Sequence, residues 1–318
     1  MDKLLNTTTL LLKKAAIDEK TKKFILNNEL LYKLLKKAAE RYIGGETLEQ
    51  TIEKGISYND LGHKIGIEFM GENTFTAFES TQASKEFIKA AECIASMKLN
   101  ASLSLDLSHI GLSVSNELCR NNLQAICETA AKSNIEVTIS AEDTNKTDAV
   151  LNTYLEASKS FSNLSITLQA YLRRTKDDLS AVIKTAGRVR LVKGAFDTPP
   201  GLSLPRGQEL NRQYLQFLDA LLSYRHQCSI ATHDPYIQSE AKALITRHKT
   251  SKDLYEFESL YGIQIERLSK LTDDGHPTKV YFVYGTEWFL YLCNRLAEYP
   301  LNVLTALNDI LAQLGITN

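Results

Sequence analysis

Eight short β-like stretches recur down the chain at spacings that fit a strand followed by a helix, and almost every one ends in a polar or charged residue. They read IGIEFM (Ile65–Met70), SLSLDL (Ser102–Leu107), IEVTIS (Ile135–Ser140), SITLQAY (Ser165–Tyr171), RVRLVK (Arg188–Lys193), CSIATH (Cys228–His233), LYEFES (Leu254–Ser259) and KVYFVY (Lys279–Tyr284). That count and rhythm predict an α/β chain folded as a (β/α)8 TIM-type barrel, since alternating helix and strand implies parallel pairing through right-handed crossovers. Active sites of such barrels are built where the strands end, so the terminal residues of each stretch are the candidates for function.

The 318 residues are many for one ordinary domain but usual for a barrel with added helices. A hydrophobic fraction of 43% against 24% charged residues supplies a large core and argues against disorder. The formal net charge of −1 offers nucleic acid no global attraction, and no basic run is interleaved with aromatics, so no nucleic-acid partner is expected. The apolar patch Leu10–Leu12 is broken by Lys13 and Lys14, and no apolar run is long enough to span a bilayer. The expectation is a cytoplasmic protein, with peripheral contact as the one membrane association left open. Five scattered cysteines, never in CxxC spacing, read as reduced core thiols, and six histidines show no ligand spacing, so no metal is expected.

Residues 1–60 contain no convincing strand. Leu30, Leu31, Leu34, Leu35, Ala38, Ala39 and Tyr42 repeat at three and four residues, which predicts a helical segment packed on the barrel formed by residues 61–318. Helical periodicity also marks Leu48–Lys54, Lys85–Met97, Glu117–Ser133, Asn211–Leu222 and the amphipathic Val303–Leu314. The longest irregular connection, Gly194–Gly207, directly follows the fifth stretch, a position from which loops often shape a site.

Several strand ends carry residues able to do chemistry. Asp234-Pro235 suits a helix cap followed by a first-turn proline, and a helix start of this kind also offers N–H groups to an anion; punctuation alone explains the pair. Arg190 and Lys193 lie in an otherwise apolar run, where buried cations need partners. Their spacing of three sends them to opposite faces, so at most one enters the barrel, and a salt bridge inside the barrel or a bound ligand would equally account for Arg190. A lone strand-end lysine such as Lys193 also invites Schiff-base chemistry of the aldolase kind. Gln169 can read a heteroaromatic edge, because its amide donates and accepts. Tyr291, Arg295 and Glu298 recur at four and three and share one helical face over the barrel mouth, where Arg295 and Glu298 can equally form a plain ion pair.

Taken together, GETLEQ (Gly45–Gln50), MGE (Met70–Glu72), LQAYLRRT (Leu168–Thr175), RLVKGAF (Arg190–Phe196), ATHDP (Ala231–Pro235), EFESLYGI (Glu256–Ile263) and YGTEW with YLCNRLAE (Tyr284–Glu298) occur in an order that resembles the flavin-dependent proline dehydrogenase family, above all its monofunctional bacterial members. The resemblance implies a barrel holding FAD at the strand ends. Gln169 and Arg190 would then contact the isoalloxazine ring, Arg190 near N5. Lys193, Gly194 and Ala195 would line the flavin or its ribityl-phosphate region, Thr232 and His233 would serve the pyrophosphate and adenosine side, and Arg295 and Glu298 would reach towards the cofactor. It further implies oxidation of a proline C–N bond to Δ1-pyrroline-5-carboxylate by hydride transfer to N5, with a quinone or oxygen as electron acceptor.

The substrate positions depart from that pattern. Where the family has a lysine in the second strand, SLSLDLSHIGL places Asp106, and where the third strand carries an aspartate, ISAED places Ser140. The fifth-strand motif ends in Phe196 rather than tyrosine, and the closing Arg-Arg pair becomes Asn294-Arg295. Glu72, Leu260, Tyr281 and Tyr291 do match positions that shape or support the substrate pocket. The expected catalytic set is therefore Asp106, Ser140, Tyr281, Tyr291 and Arg295, beside a pocket of Glu72, Phe196, Leu260 and Asn294. A carboxylate in place of a cation repels an anion at close range, a reversal on the order of several kcal/mol at an effective dielectric near 20. The leading expectation is an FAD enzyme for a cyclic secondary amine whose carboxylate is masked as an ester, amide or carrier-protein thioester. Ordinary L-proline dehydrogenase activity and a non-catalytic flavin-binding protein are the alternatives.

Overall fold

Strands β1 (Lys64–Phe69), β2 (Ala101–Leu105), β3 (Glu136–Ile139), β4 (Leu164–Gln169), β5 (Val189–Val192), β6 (Cys228–Ala231), β7 (Tyr255–Leu260) and β8 (Thr278–Tyr284) pair in sequence order, all parallel, and β8 returns to β1 to close the barrel. The structure, a computed structural model, describes residues 2–71, 73–298 and 302–313, so Glu72 and Leu314 lie outside the described residues. Each strand is followed by a helix: α5 (Ala77–Ser96), α6 (Asn116–Ala131), α7 (Thr147–Ala157), α8 (Thr175–Val182), α9 (Gln208–Ser223), α10 (Pro235–His248), α11 (Ile265–Asp273) and α12 (Trp288–Glu298). Four helices, α1 (Asp2–Ile17), α2 (Glu19–Leu26), α3 (Glu29–Glu40) and α4 (Leu48–Asp60), precede β1, and α13 (Asn302–Gln313) follows α12.

Helix starts follow local chemistry. Thr47 and Thr76 close capping boxes with Gln50 and Glu79, and Asp234 caps α10 by accepting the Tyr236 N–H at 2.9 Å, with Pro235 in the first turn. The two-residue period of the strands then sorts the chain into two environments. Outward residues such as Ile65, Ile67, Leu103, Leu105, Val137, Ile139, Leu191, Ile230, Phe257 and Phe282 are buried with Phe87, Leu123, Tyr154 and Leu218 of the surrounding helices. The hydrophobic core is thus the shell between strands and helices.

The lumen is different, for it is laced with charge. Lys64 Nζ of β1 lies 3.3 Å from Glu136 of β3 and 3.7 Å from Glu256 of β7. Arg188, just before β5, pairs with Glu136 at 3.1 Å, and Lys279 of β8 pairs with Glu256 at 2.6 Å and Glu258 at 2.8 Å. Arg190 of β5 donates from Nε to Glu258 of β7 at 2.5 Å, and the Ser140 hydroxyl donates to Glu68 of β1 at 3.0 Å. Most of these partners sit on strands that are not neighbours, so they meet only through the barrel interior. Burial alone would raise the Glu256 carboxyl, but Lys279, Lys64 and Arg188 outweigh it and hold it well below the usual carboxylate range. Glu68 has no such surplus of cations, and burial pushes it up to about 7 against the pull of Arg190 and Ser140.

At the rim, α12 is fixed from several sides. α1 and α3 pack on it, Thr9 donates to the Ala297 carbonyl at 3.2 Å, and Ala38, Ala39, Tyr42 and Ile43 bury against Trp288, Phe289, Leu292 and Leu296. Glu46 accepts from Tyr32 at 2.7 Å and from the Trp288 indole at 3.1 Å, and pairs with Lys36 at 2.5 Å. The Gly44 N–H donates to Val283 at 2.8 Å, tying this loop to β8. Among the described residues no helix is long and apolar enough to cross a membrane.

Two stability outcomes follow from the lumen. Glu256→Gln leaves Lys64, Arg188 and Lys279 under-compensated and should cost about 3–5 kcal/mol in urea unfolding; a loss below 1 kcal/mol would mean that the ladder carries little. For Glu68, a folded pKa raised to about 7 from an ordinary 4.5 means stability fully present below the ordinary value and lost as pH climbs through 7. Glu68→Gln should therefore melt higher than the parent at pH 8 and lose that advantage at pH 4, an order that thermal melts would reveal.

Candidate active site

The carboxyl ends of the strands converge on one rim. Asp106 follows β2, and the Ser140 N–H donates to the Leu105 carbonyl at 2.8 Å, which sets positions 106 and 140 side by side. Asp106 is half-buried, while Ser140 is buried and turned to Glu68. Across the mouth, the Arg190 guanidinium lies 4.4 Å from the centre of the Tyr281 ring while bonded to Glu258. Stacking and ion pairing together fix a planar cation that a lysine could not replace.

On α12, Arg295 stacks over Tyr291 at 5.0 Å and pairs with Glu298 at 2.7 Å, so the shared helical face is realised. Among the described residues, the buried Tyr291 hydroxyl and Arg295 Nε have no hydrogen-bond partner. Burial pushes the Tyr291 phenol up to about 12, which keeps it a neutral donor. Asn294, one residue before Arg295, is half-buried on the same helix.

His233 accepts the Leu260 N–H on Nε2 at 3.0 Å, which assigns its proton to Nδ1 and ties the end of β6 to the end of β7. Burial, aided by the Arg295 and Arg190 cations, holds His233 down to about 4, so the ring is neutral. Thr232 is buried, and its hydroxyl accepts the Asp234 N–H at 3.2 Å. Lys193 lies beyond the end of β5, bonded to Asp234 at 2.5 Å and Asn211 at 2.8 Å, on the side away from Arg190. That agrees with their spacing of three.

Gly194 has φ +108°, and a Cβ there would stand 2.2 Å from the Tyr171 ring, so only glycine fits. Tyr171 donates to the Phe196 carbonyl at 3.0 Å; Ala195 and Phe196 are exposed, Phe196 by 42%. Gln169 is buried and its amide donates to the Glu142 carbonyl at 3.1 Å. Glu142 itself accepts the Ser108 N–H at 3.0 Å and pairs with Lys146 at 2.8 Å, joining the loops after β2 and β3.

The rim therefore gathers Asp106, Ser140, Gln169, Arg190, His233, Leu260, Tyr281, Tyr291 and Arg295 at one end of the barrel, with Lys193 and Thr232 behind the β5–β6 edge. Sequence reasoning missed Glu68, Glu142 and Glu258, which hold Ser140, Gln169 and Arg190, and Lys279, which pairs with Glu258 beneath them. The available signal was an acid or lysine alternating with apolar residues inside a stretch, as in IGIEFM and YEFES. A flavin fits this donor set: a fixed guanidinium, a neutral phenol and an unpartnered arginine N–H present hydrogen bonds to an anionic, heteroaromatic group.

Comparison with known proteins agrees with the geometry. The family described as Proline dehydrogenase matches residues 51–302. Proline dehydrogenase 1 of Bacillus subtilis (strain 168) is 34% identical over 295 residues, covering 91% of this chain and 97% of that protein. Proline dehydrogenase 2 of the same organism is 31% identical over 269 residues, covering 85% and 89%, and the proline dehydrogenase of Deinococcus radiodurans is 26% identical over 278 residues, covering 86% and 90%. Among solved structures, proline utilization A from Bdellovibrio bacteriovorus, inactivated by N-propargylglycine, superposes with a TM-score of 0.80 at 17% identity. It covers 92% of this chain and 36% of that longer one, a likeness of fold. With its closed parallel barrel and the ordered motifs at the strand ends, the chain belongs to the proline dehydrogenase family, oxidoreductases that act on CH–NH groups.

Proposed function

We propose that the protein is an FAD-dependent dehydrogenase that oxidises the C–N bond of a proline-derived or other cyclic secondary amine whose carboxylate is masked as an ester, an amide or a carrier thioester. The observation that carries this reading is the charge of the rim. Asp106 stands beside Ser140 where the family pattern has a lysine and an aspartate. Three cations there, meanwhile, are engaged by carboxylates: Arg190 by Glu258, Arg295 by Glu298 and Lys193 by Asp234. At position 106 a free carboxylate would face an acid in place of the cation of the family pattern, and at the other positions it would face cations already paired.

FAD, when bound, supplies the acceptor for the electron pair of the substrate C–H bond. Gln169 and Arg190 would hold its ring, Lys193, Gly194 and Ala195 its ribityl-phosphate side, and Thr232 and His233 its pyrophosphate and adenosine side. Tyr281, Tyr291 and Leu260 would enclose the substrate ring, with the exposed Phe196 at the edge, and Asp106 would orient its nitrogen. Electrons would leave to a quinone or to oxygen, with peripheral membrane contact suiting a quinone.

Oxidation of free L-proline is the second reading. It is favoured by the relatives named proline dehydrogenase and by the unpartnered Arg295 Nε, a donor suited to a carboxylate. Asp106→Lys separates the two in steady-state assays with L-proline and L-proline methyl ester. Reversal of one charge near the substrate is on the order of several kcal/mol at an effective dielectric near 20, so kcat/KM for L-proline should rise at least about tenfold while that for the ester stays level or falls. A parent enzyme that prefers L-proline, and loses that activity in Asp106→Lys, would reject the masked-carboxylate substrate.

A further inference from the structure

Arg190 is the cation closest in role to the flavin on the reading above, and besides the Tyr281 ring at the rim it is held from beneath by a carboxylate. Its Nε bonds to Glu258 Oε1 at 2.5 Å, and Glu258 Oε2 lies 2.8 Å from Lys279 Nζ. Lys279 is 2% exposed and touches no rim residue; its other partners are Glu256 at 2.6 Å and the Ser229 hydroxyl at 3.5 Å. The Glu258 side chain is 1% exposed and that of Arg190 11%, so the carboxylate is sealed below the guanidinium while the guanidinium reaches the mouth. One carboxylate thus divides its charge between a cation that faces the mouth and a cation that never sees it.

We propose that Lys279 and Glu258 are positioning residues for the redox chemistry, fixing through Arg190 how much positive charge the barrel presents to the bound flavin. This rests on the FAD reading. The physical reason is competition for a single anion. While Lys279 draws on Glu258, the Arg190 charge is only partly cancelled and its field extends into the mouth. Without Lys279, Glu258 answers to Arg190 alone, and the field at the mouth weakens. Without the Glu258 carboxylate, the field at the mouth strengthens. Reduced flavin carries more negative charge than oxidised flavin, so a stronger field favours the reduced form and a weaker one the oxidised form. The two substitutions must then act in opposite directions, which general damage to the fold cannot imitate.

The test is the midpoint potential of the FAD-loaded protein, measured by dye-coupled anaerobic reduction for the parent, Glu258→Gln, Lys279→Met and the double variant. Glu258→Gln should raise the affinity for reduced over oxidised flavin at least about tenfold, an upward shift of about 30 mV for a two-electron couple. Lys279→Met should move the ratio the other way, and adding it to Glu258→Gln should change little, because the route to Arg190 is then already cut. Lys279→Arg keeps the charge and should restore the parental value. Where Lys279→Met does not fold, the Glu258→Gln shift and the Lys279→Arg control decide the matter. Potentials that stay together, or that move in the same direction, overturn this proposal while leaving the FAD reading intact. A parent protein that takes up no FAD overturns both.

Discussion

The Glu258 carboxylate, shared between Arg190 and Lys279 deep in the barrel, is the contact on which the arrangement of the mouth depends. A guanidinium in a strand is tolerable only where an anion meets it, and an anion sealed from water is tolerable only where cations surround it. Each charge therefore recruits the next, down through Glu256 to Lys64, Arg188 and Glu136. Burial would raise the Glu258 carboxyl, but Arg190 and Lys279 outweigh it and keep it ionised. The price is paid by the apolar shell outside the strands, where Leu, Ile, Val and Phe residues are almost wholly buried.

A second constraint holds the other wall of the site. α12 carries Tyr291 and Arg295, and its apolar face packs on α3 while α1 lies along it. Glu46 fastens this assembly by bonding Tyr32 and Trp288 at once. The helices before β1 therefore contribute to the position of the rim.

The eight strands were legible because their outward faces are apolar and their ends polar, a pattern that a single sequence displays directly. Spacing also separated Arg190 from Lys193, since a difference of three in a strand sends two side chains to opposite sides. The pairing inside the lumen was not legible. Glu68, Glu256, Glu258 and Lys279 each look like an ordinary polar residue in an alternating strand, and only closure of the barrel tells which meets which. The start of α5 was read at Lys85, whereas it lies at Ala77. Its first turns, rich in Glu, Ser, Thr and Gln, lack apolar periodicity, although Thr76 and Glu79 carried the capping-box signal. Glu72, expected in the substrate pocket, lies outside the described residues.

On the proposed function the mouth would hold FAD and, because of Asp106, would disfavour a substrate with a free carboxylate. The most direct measurement is the visible spectrum of the purified, FAD-loaded protein during anaerobic titration, first with L-proline and then with L-proline methyl ester. The expected result is a bound flavin band that persists at modest L-proline and bleaches with the ester. Bleaching at modest L-proline, with the ester no better, would contradict it and leave ordinary proline oxidation as the function of this barrel.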